Sequence, residues 1–154
     1  MAQKSGLLRR NFQGYTDDTA EVLIGLGASS ISRFPQGYAQ NAPATGAHTG
    51  AIREGRFSTS RGHVFSAEDK LRGRMIEMLM CDFRIDSAEI FREFDIPAAE
   101  LQAMLSAVER RFDGHLALDA TGLSIPLEAR PLTRMIARQF DAYEMNADGH
   151  SSAI

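Results

Sequence analysis

Apolar and polar positions fall into two unlike patterns along the chain, and the change comes near residue 62. In the first part, residues 22–31 (Val-Leu-Ile-Gly-Leu-Gly-Ala-Ser-Ser-Ile) form an almost continuous apolar run broken by Gly25 and Gly27. Continuous apolar sequence without alternation predicts a strand covered on both faces. Glycines inside such a run predict a close approach to the backbone, by a neighbouring element or a ligand. Residues 11–15 predict a short extended piece, and Asp17-Asp18-Thr19 a turn or cap. Phe34-Pro35-Gln36-Gly37 predicts the turn that ends the strand. One buried strand flanked by loops is no domain, so it is expected to join a sheet whose other strands this chain scarcely supplies. From 41 to 62 the sequence is rich in Ala, Gly, Thr and Ser. It predicts a mobile join with a weak helix over 45–53, where each glycine costs about 1 kcal/mol relative to alanine.

The second part is patterned at helical spacing. After Ser66, with Glu68 and Asp69 in the first turn, Leu71, Met75, Met78, Leu79 and Phe83 define one buried stripe. Ser87 opens a short helix with Ile90, Phe91 and Phe94 inward. A third helix starts at Asp95-Ile96-Pro97, carries Leu101, Met104, Leu105, Val108 and Phe112, and stops at Gly114. Two short strands at 116–118 and 123–125 flank Asp119-Ala120-Thr121-Gly122 as a hairpin. A last helix from about Glu128 presents Leu132, Met135, Ile136, Phe140 and Tyr143, and a tail follows Asn146. Three helices, a hairpin and a helix make a winged-helix-like order.

Composition adds bounds. The 154 residues are 44% hydrophobic and 24% charged, ordinary for a globular domain with an appendage. No apolar run approaches the roughly 18 residues of a membrane helix, and the start, Met-Ala-Gln-Lys-Ser-Gly, has no signal-peptide character. A single cysteine, Cys81, rules out an internal disulfide framework and makes the cytoplasm the expected location. The net charge of −3 is unevenly spread. Residues 1–62 hold seven Lys/Arg against four Asp/Glu, whereas residues 63–154 hold ten against sixteen. Anionic ligands are therefore sought in the first part, and a nucleic-acid grip in the second is disfavoured. The third helix would be the reading helix of a winged-helix DNA binder and exposes Glu100, Gln102, Glu109, Arg110 and Arg111, yet acids at its N-terminal half would face phosphates, where positive charge is needed.

Few residues offer chemistry on their own. Gly25-Leu26-Gly27 lacks the third glycine of a dinucleotide fingerprint, because Ser30 stands there; close packing remains its plain explanation. Phe12 and Gln13 read by themselves as a hydrophobic anchor and a solvated amide. Arg9, Arg10 and Arg33 read as surface charges. His48, His63, His115 and His150 have no metal-ligand spacing. Cys81 reads as a packed thiol and the methionines at 75, 78, 80 and 104 as core filling.

Three motifs in order carry a resemblance. Arg9-Arg10-Asn11-Phe12-Gln13-Gly14-Tyr15-Thr16, then Gly25-x-Gly27-Ala28-Ser29-x-Ile31-Ser32, then Tyr38-Ala39-Gln40-Asn41 resemble the oxygen-independent coproporphyrinogen III oxidases, or coproporphyrinogen dehydrogenases. These are radical S-adenosylmethionine enzymes of haem synthesis. The likeness continues through Cys81-Asp82-Phe83, Arg134-x-Ile136 and Phe140-Asp141-x-Tyr143, and departs at Ala129, where relatives usually carry glycine, and at Pro131. It covers nearly the whole chain but only the last third of the family's length.

The resemblance implies an α+β chain: residues 1–62 as the end of a partial radical-SAM α/β barrel plus linker, residues 63–146 as a mainly helical, winged-helix-like domain closing over the barrel mouth, and residues 147–154 as a tail. It implies that Phe12 and Gln13 lie beside a second S-adenosylmethionine and the reaction centre, and that Ile31 packs on S-adenosylmethionine. One or more of Arg9, Arg10 and Arg33 would hold propionates of coproporphyrinogen III. The complete enzyme is expected to be a monomer using S-adenosylmethionine and a four-iron, four-sulfur cluster. Neither is expected to be held by this chain alone, which has no Cys-x3-Cys-x2-Cys loop and would need the N-terminal barrel. No nucleic acid or membrane partner is expected. Two alternatives stay open: a haem chaperone of the same superfamily, which lacks the Phe12-Gln13-Gly14-Tyr15-Thr16 string, and a non-catalytic winged-helix interaction module.

Overall fold

The computed structural model describes residues 8–11 and 14–142. They divide into two compact units, residues 1–68 and 69–154, which are taken in turn.

Unit 1 begins with the antiparallel pair β1 (Arg9–Asn11) and β2 (Gly14–Thr16), in register Arg9 opposite Thr16. A three-stranded antiparallel sheet follows: β3 (Ile31–Phe34), β4 (Gly37–Asn41) and β5 (Thr59–Val64), in that spatial order. Pro35 and Gln36 make the β3–β4 turn where the sequence predicts one. Helix α1 (Thr45–Arg53) joins β4 to β5. The predicted weak helix thus forms despite its glycines, but the predicted mobile join also supplies a strand of the sheet. A bulge between Gln40 and Asn41 leaves Ser60 without an opposite residue, since Gln40 faces Arg61 and Asn41 faces Thr59.

The predicted strand over 22–31 is not there. Ahead of Ile31 only Leu23 forms a bridge, to Arg33, in which each amide donates to the other's carbonyl, at 3.0 and 2.8 Å. The chain from Leu23 to Ser30 is a loop, and regular strand begins only at Ile31. Its apolar side chains are not covered on two faces: Val22, Ile24 and Leu26 are 45%, 58% and 86% exposed.

Unit 2 is organised by an apolar core. Helix α2 (Ala67–Asp82) buries Leu71, Met75, Met78, Leu79 and Cys81, following the predicted stripe. It stops at Phe83, which takes a left-handed backbone (φ 57°) that costs a non-glycine residue about 1 kcal/mol. Arg130 stacks over the Phe83 ring at 4.1 Å, and the Phe83 carbonyl accepts from the Ile125 amide at 2.8 Å, so the strained residue is held from two sides. Strand β6 (Arg84–Asp86) leads into α3 (Ser87–Glu93), capped by Asp86, whose carboxylate accepts from the Ala88 and Glu89 amides. Helix α4 (Ala98–Arg111) starts directly after Pro97 and buries Leu101, Leu105 and Val108. The predicted hairpin is present as β7 (Ala117–Asp119) and β8 (Gly122–Ser124), with β8 central in the order β6-β8-β7.

Three details differ from the sequence reading. Phe91 and Met135, expected inward, are 44% and 59% exposed. The last helix is broken: 3-10 turns at Leu127–Leu132 and Arg138–Phe140 flank α5 (Thr133–Ala137). Pro131, inside the first turn, cannot donate to an α-helical ladder, and buried Ala129 accommodates the tight wrap. Tyr143 and the tail lie outside the described residues.

The core of unit 2 joins α2, α3, α4, the small sheet and the final turns through Met75, Leu79, Ile85, Ile90, Leu101, Leu105, Leu123, Ile136 and Phe140. Arg74 staples α2 to α3 at its rim, bonding Glu77 on its own helix at 2.9 Å and Glu89 and Glu93 on the next. Burial opposes its charge, but the Glu89 hydrogen bond and the three carboxylates raise its pKa above the ordinary arginine value.

Candidate functional site

The second and third motifs of unit 1 meet at one loop. Between the bridge residues Leu23 and Arg33, the chain turns through Gly25, Gly27 and Ser29 and back into β3. A side chain at Gly25 would put its Cβ 2.6 Å from the Ile31 carbonyl oxygen, so only glycine fits. The expected close approach therefore exists, and the approaching group is the loop's own returning backbone. Ser32 accepts the Gly25 amide through its hydroxyl at 3.0 Å.

The third motif locks the second. The Asn41 side-chain amide, at the end of β4, donates to the carbonyls of Gly25 (3.4 Å) and Gly27 (3.0 Å) and to the Ser30 hydroxyl (3.1 Å). The Ser30 hydroxyl in turn donates to the Gly27 carbonyl at 2.7 Å. Gln40 donates to the Ser29 carbonyl at 3.1 Å, and the Ser29 amide donates to Ala42 at 3.0 Å. Ser29 has φ 66°, a left-handed conformation that persists only where the surroundings over-determine it. A second tie, from His48 Nδ1 to the buried Ser58 hydroxyl at 2.6 Å, holds α1 to the start of β5. No carboxylate bonds that histidine among the described residues, so a structural clamp explains it better than a nucleophile–base pair.

Ile31 leads out of this loop as the first residue of β3 and is half-buried. The register sets its company. Ile31, Gln40 and Arg61 lie opposite one another in one row, and Arg33, Tyr38 and His63 lie in the row two residues on. Opposite residues and residues two apart project to the same side of a sheet, so these six share a face. Phe65 packs edge-on against Tyr38 and His63, with ring centroids 4.6 and 5.9 Å away. The three strands contain no aspartate or glutamate.

Among the residues expected to form the site, Ile31, Arg9, Arg10 and Arg33 lie inside the described part. Phe12 and Gln13 lie outside the described residues, between β1 and β2. Arg9 and Arg10 are on β1, where the Arg9 guanidinium donates to the Leu8 carbonyl at 3.1 Å, and Arg33 is on β3 beside Ile31. Gln40, Asn41 and Arg61 were missed as single residues. The Tyr-Ala-Gln-Asn motif was a signal for the first two; for Arg61 there was none before the strands were paired.

An iron–sulfur cluster does not fit the residues present. Cys81, the only cysteine, is buried in the core of unit 2, and the described residues contain no group of three or more His, Cys, Asp or Glu able to hold a metal. Such clusters are held by several thiolates. Toward S-adenosylmethionine the described face offers apolar contact at Ile31 beside hydrogen-bonding side chains, which fits a polar cofactor with an apolar edge. No helix among the described residues is long and apolar enough to cross a membrane.

No family model matches the chain. Curated relatives do. The oxygen-independent coproporphyrinogen III oxidase of Paracoccus denitrificans is 66% identical over 153 residues, 99% of this chain and 34% of the relative. That of Cereibacter sphaeroides is 56% identical over 143 residues, covering 93% and 32%. Among solved structures, the Escherichia coli coproporphyrinogen III oxidase, described as a radical SAM enzyme, superposes with a TM-score of 0.84 at 32% identity, covering 93% of this chain and 33% of that one. The chain thus spans about a third of the length of the curated relatives it matches, and the match falls on their C-terminal third. Its mixed helix-and-sheet fold is that of part of a radical SAM enzyme. Within that class its sequence is similar to one kind of protein, the oxygen-independent coproporphyrinogen III oxidases.

Proposed function

We propose that this chain is the C-terminal third of a cytoplasmic oxygen-independent coproporphyrinogen III oxidase. With the rest of the protein in place, it would serve the oxidative decarboxylation of two propionates of coproporphyrinogen III to vinyl groups, giving protoporphyrinogen IX without oxygen. The carrying observation is the 66% identity that runs across 99% of the chain. Support comes from the loop in which the second and third family motifs lock each other around the start of β3.

In this reading residues 1–62 complete the barrel wall, and the barrel that pairs with them is the remaining N-terminal part of the protein. S-adenosylmethionine, when bound, supplies the radical chemistry. Ile31 gives it apolar contact. Phe12 is a flat apolar wall, and Gln13, with both a donor and an acceptor, orients a polar group. The cluster belongs to the N-terminal part, because this chain has no ligand set for it. Residues 63–146 form a mainly helical, winged-helix-type domain with no nucleic-acid role. The order β6-β8-β7 beside α2, α3 and α4 supports that topology, and the exposed Glu100 in the first turn of α4 opposes phosphate contact.

The test is a chimera in which this chain replaces the matching third of the Paracoccus denitrificans protein, reconstituted anaerobically. It is expected to convert coproporphyrinogen III to protoporphyrinogen IX, and a folded, cluster-loaded chimera without that activity would refute the assignment. In the same chimera, Gln13→Ala is expected to lower turnover at unchanged cluster content and thermal stability. Undiminished turnover would remove Gln13 from the site.

A further inference from the structure

We propose that Arg33 and Arg61 form a carboxylate clamp on the Ile31 face of the sheet, holding propionates of the substrate that are not decarboxylated. The inference rests on the functional reading above and adds the residues that fix the orientation of a tetracarboxylate within it.

Register puts the two arginines on this face. Arg61 stands in the same row as Ile31, two strands away, with Gln40 between them; Arg33 follows Ile31 by two residues on β3. Strand spacing and residue rise place Arg61 about 10 Å and Arg33 about 7 Å from Ile31 along the sheet. The two guanidiniums therefore flank the isoleucine on two sides, one across the strands and one along them.

Their charge is also uncompensated among the described residues. Arg56, Arg74 and Arg84 all pair with carboxylates. Arg33 and Arg61 are exposed, and the structure gives neither side chain a hydrogen bond or ion pair among the described residues. No acid occurs on the three strands, nor anywhere in residues 22–53 or 55–67. Of the others on the face, Gln40 spends its amide on the Ser29 carbonyl, and Tyr38 and His63 are engaged with Phe65. What remains for a ligand is two planar cationic forks on an otherwise uncharged, partly aromatic surface.

The name of the relatives' substrate supplies the complement: coproporphyrinogen III bears four propionates. Guanidinium binds carboxylate through paired, charge-assisted hydrogen bonds. The chemistry decides which carboxylates are held. A reacting propionate leaves as neutral carbon dioxide, so a tight ion pair to it would stabilise the starting state and be lost on the way to the transition state. A clamp speeds orientation without that cost only on carboxylates that keep their charge.

The test uses the same chimera with Arg33→Met, Arg61→Met, the double variant and the two lysine variants. Binding is read by fluorescence with coproporphyrin III, the oxidised tetracarboxylate, and with its uncharged tetramethyl ester. Each methionine variant is expected to bind coproporphyrin III about tenfold more weakly, the size of one lost charge-assisted pair. The double variant should lose more than either, lysine should restore part of the loss, and ester binding should not change. KM for coproporphyrinogen III should rise more than kcat falls. Wild-type affinity in the double variant, or an equal loss for the ester, would overturn the clamp. A wild-type chimera that binds the tetracarboxylate through these arginines yet converts nothing would instead refute the functional reading and leave the clamp standing.

Discussion

The two units are ordered by opposite means. Among its described residues unit 2 closes around fifteen buried apolar side chains, from Leu71 to Phe140, drawn from its helices and turns and from β6 and β8. Among the described residues of unit 1 the only buried hydrophobic side chain is Ala51, whereas Tyr15, Val22, Ile24, Leu26, Ile52, Phe57 and Val64 are all exposed. Its shape comes from strand pairing, from one glycine that permits a close approach, and from an asparagine that satisfies three acceptors. The contrast separates a piece that carries its own driving force from one that has geometry without a core. An apolar surface of this kind is what an interface shows when seen without its partner, which agrees with the proposed barrel beside it.

The sharpest way to break this contrast is to cut into both units equally. Leu79→Ala, at a fully buried site of unit 2, is expected to cost about 3–5 kcal/mol, as large-to-small core changes do. Leu26→Ser, in unit 1, should stay within about 0.5 kcal/mol, as surface changes do. Urea unfolding of the chain measures both, and comparable losses would mean that unit 1 has a core after all. A smaller effect tests what does hold unit 1. Asn41→Ala leaves the Gly25 and Gly27 carbonyls without their donor and should cost about 1–3 kcal/mol. The loss should be confined to residues 23–33, where amide exchange of Ser29 should quicken while the helices of unit 2 stay protected. Spread of that loss into unit 2 would contradict the separate ordering of the two.

The smallest effect concerns the hairpin. Hydrogen bonds from the Thr121 hydroxyl and amide hold the Asp119 carboxyl below its ordinary pKa. A carboxylate depressed in the folded state stabilises it above the unfolded value, about 3.9, and loses that contribution as pH falls through the folded value. Exchange of the Thr121 amide should therefore rise only below about pH 4, and Asp119→Asn should remove the dependence while leaving α2 and α4 unaffected.

Unit 2 was legible in sequence because its stripes repeat at helical spacing and its stops are local: Pro97 before α4, Gly114 after it, and the turn residues between β7 and β8. The failures there have a physical pattern. Phe91 and Met135 sit in helices of only seven and five residues, too short for a stripe to define which side faces in. In unit 1, Val22 to Leu26 looked like a doubly covered strand because apolar runs are read on the assumption that the chain supplies its own cover. The glycines were legible as a close approach, but not what approached. Ile31 was singled out only through the family likeness, and Arg61 not at all, since the face they share is defined by a register that exists only once β4 and β5 are paired.

The surplus residue Ser60 gives that register a certain independence. By dropping out of the ladder it resets the in–out alternation of β5 just before Arg61, so phasing is dictated by the partner strand and not by the length of chain arriving from α1. Lengthening or shortening that connection could be absorbed upstream without turning the arginine to the opposite side. The connection from α1 into β5 is thereby free to vary in length while the Ile31 face keeps its orientation.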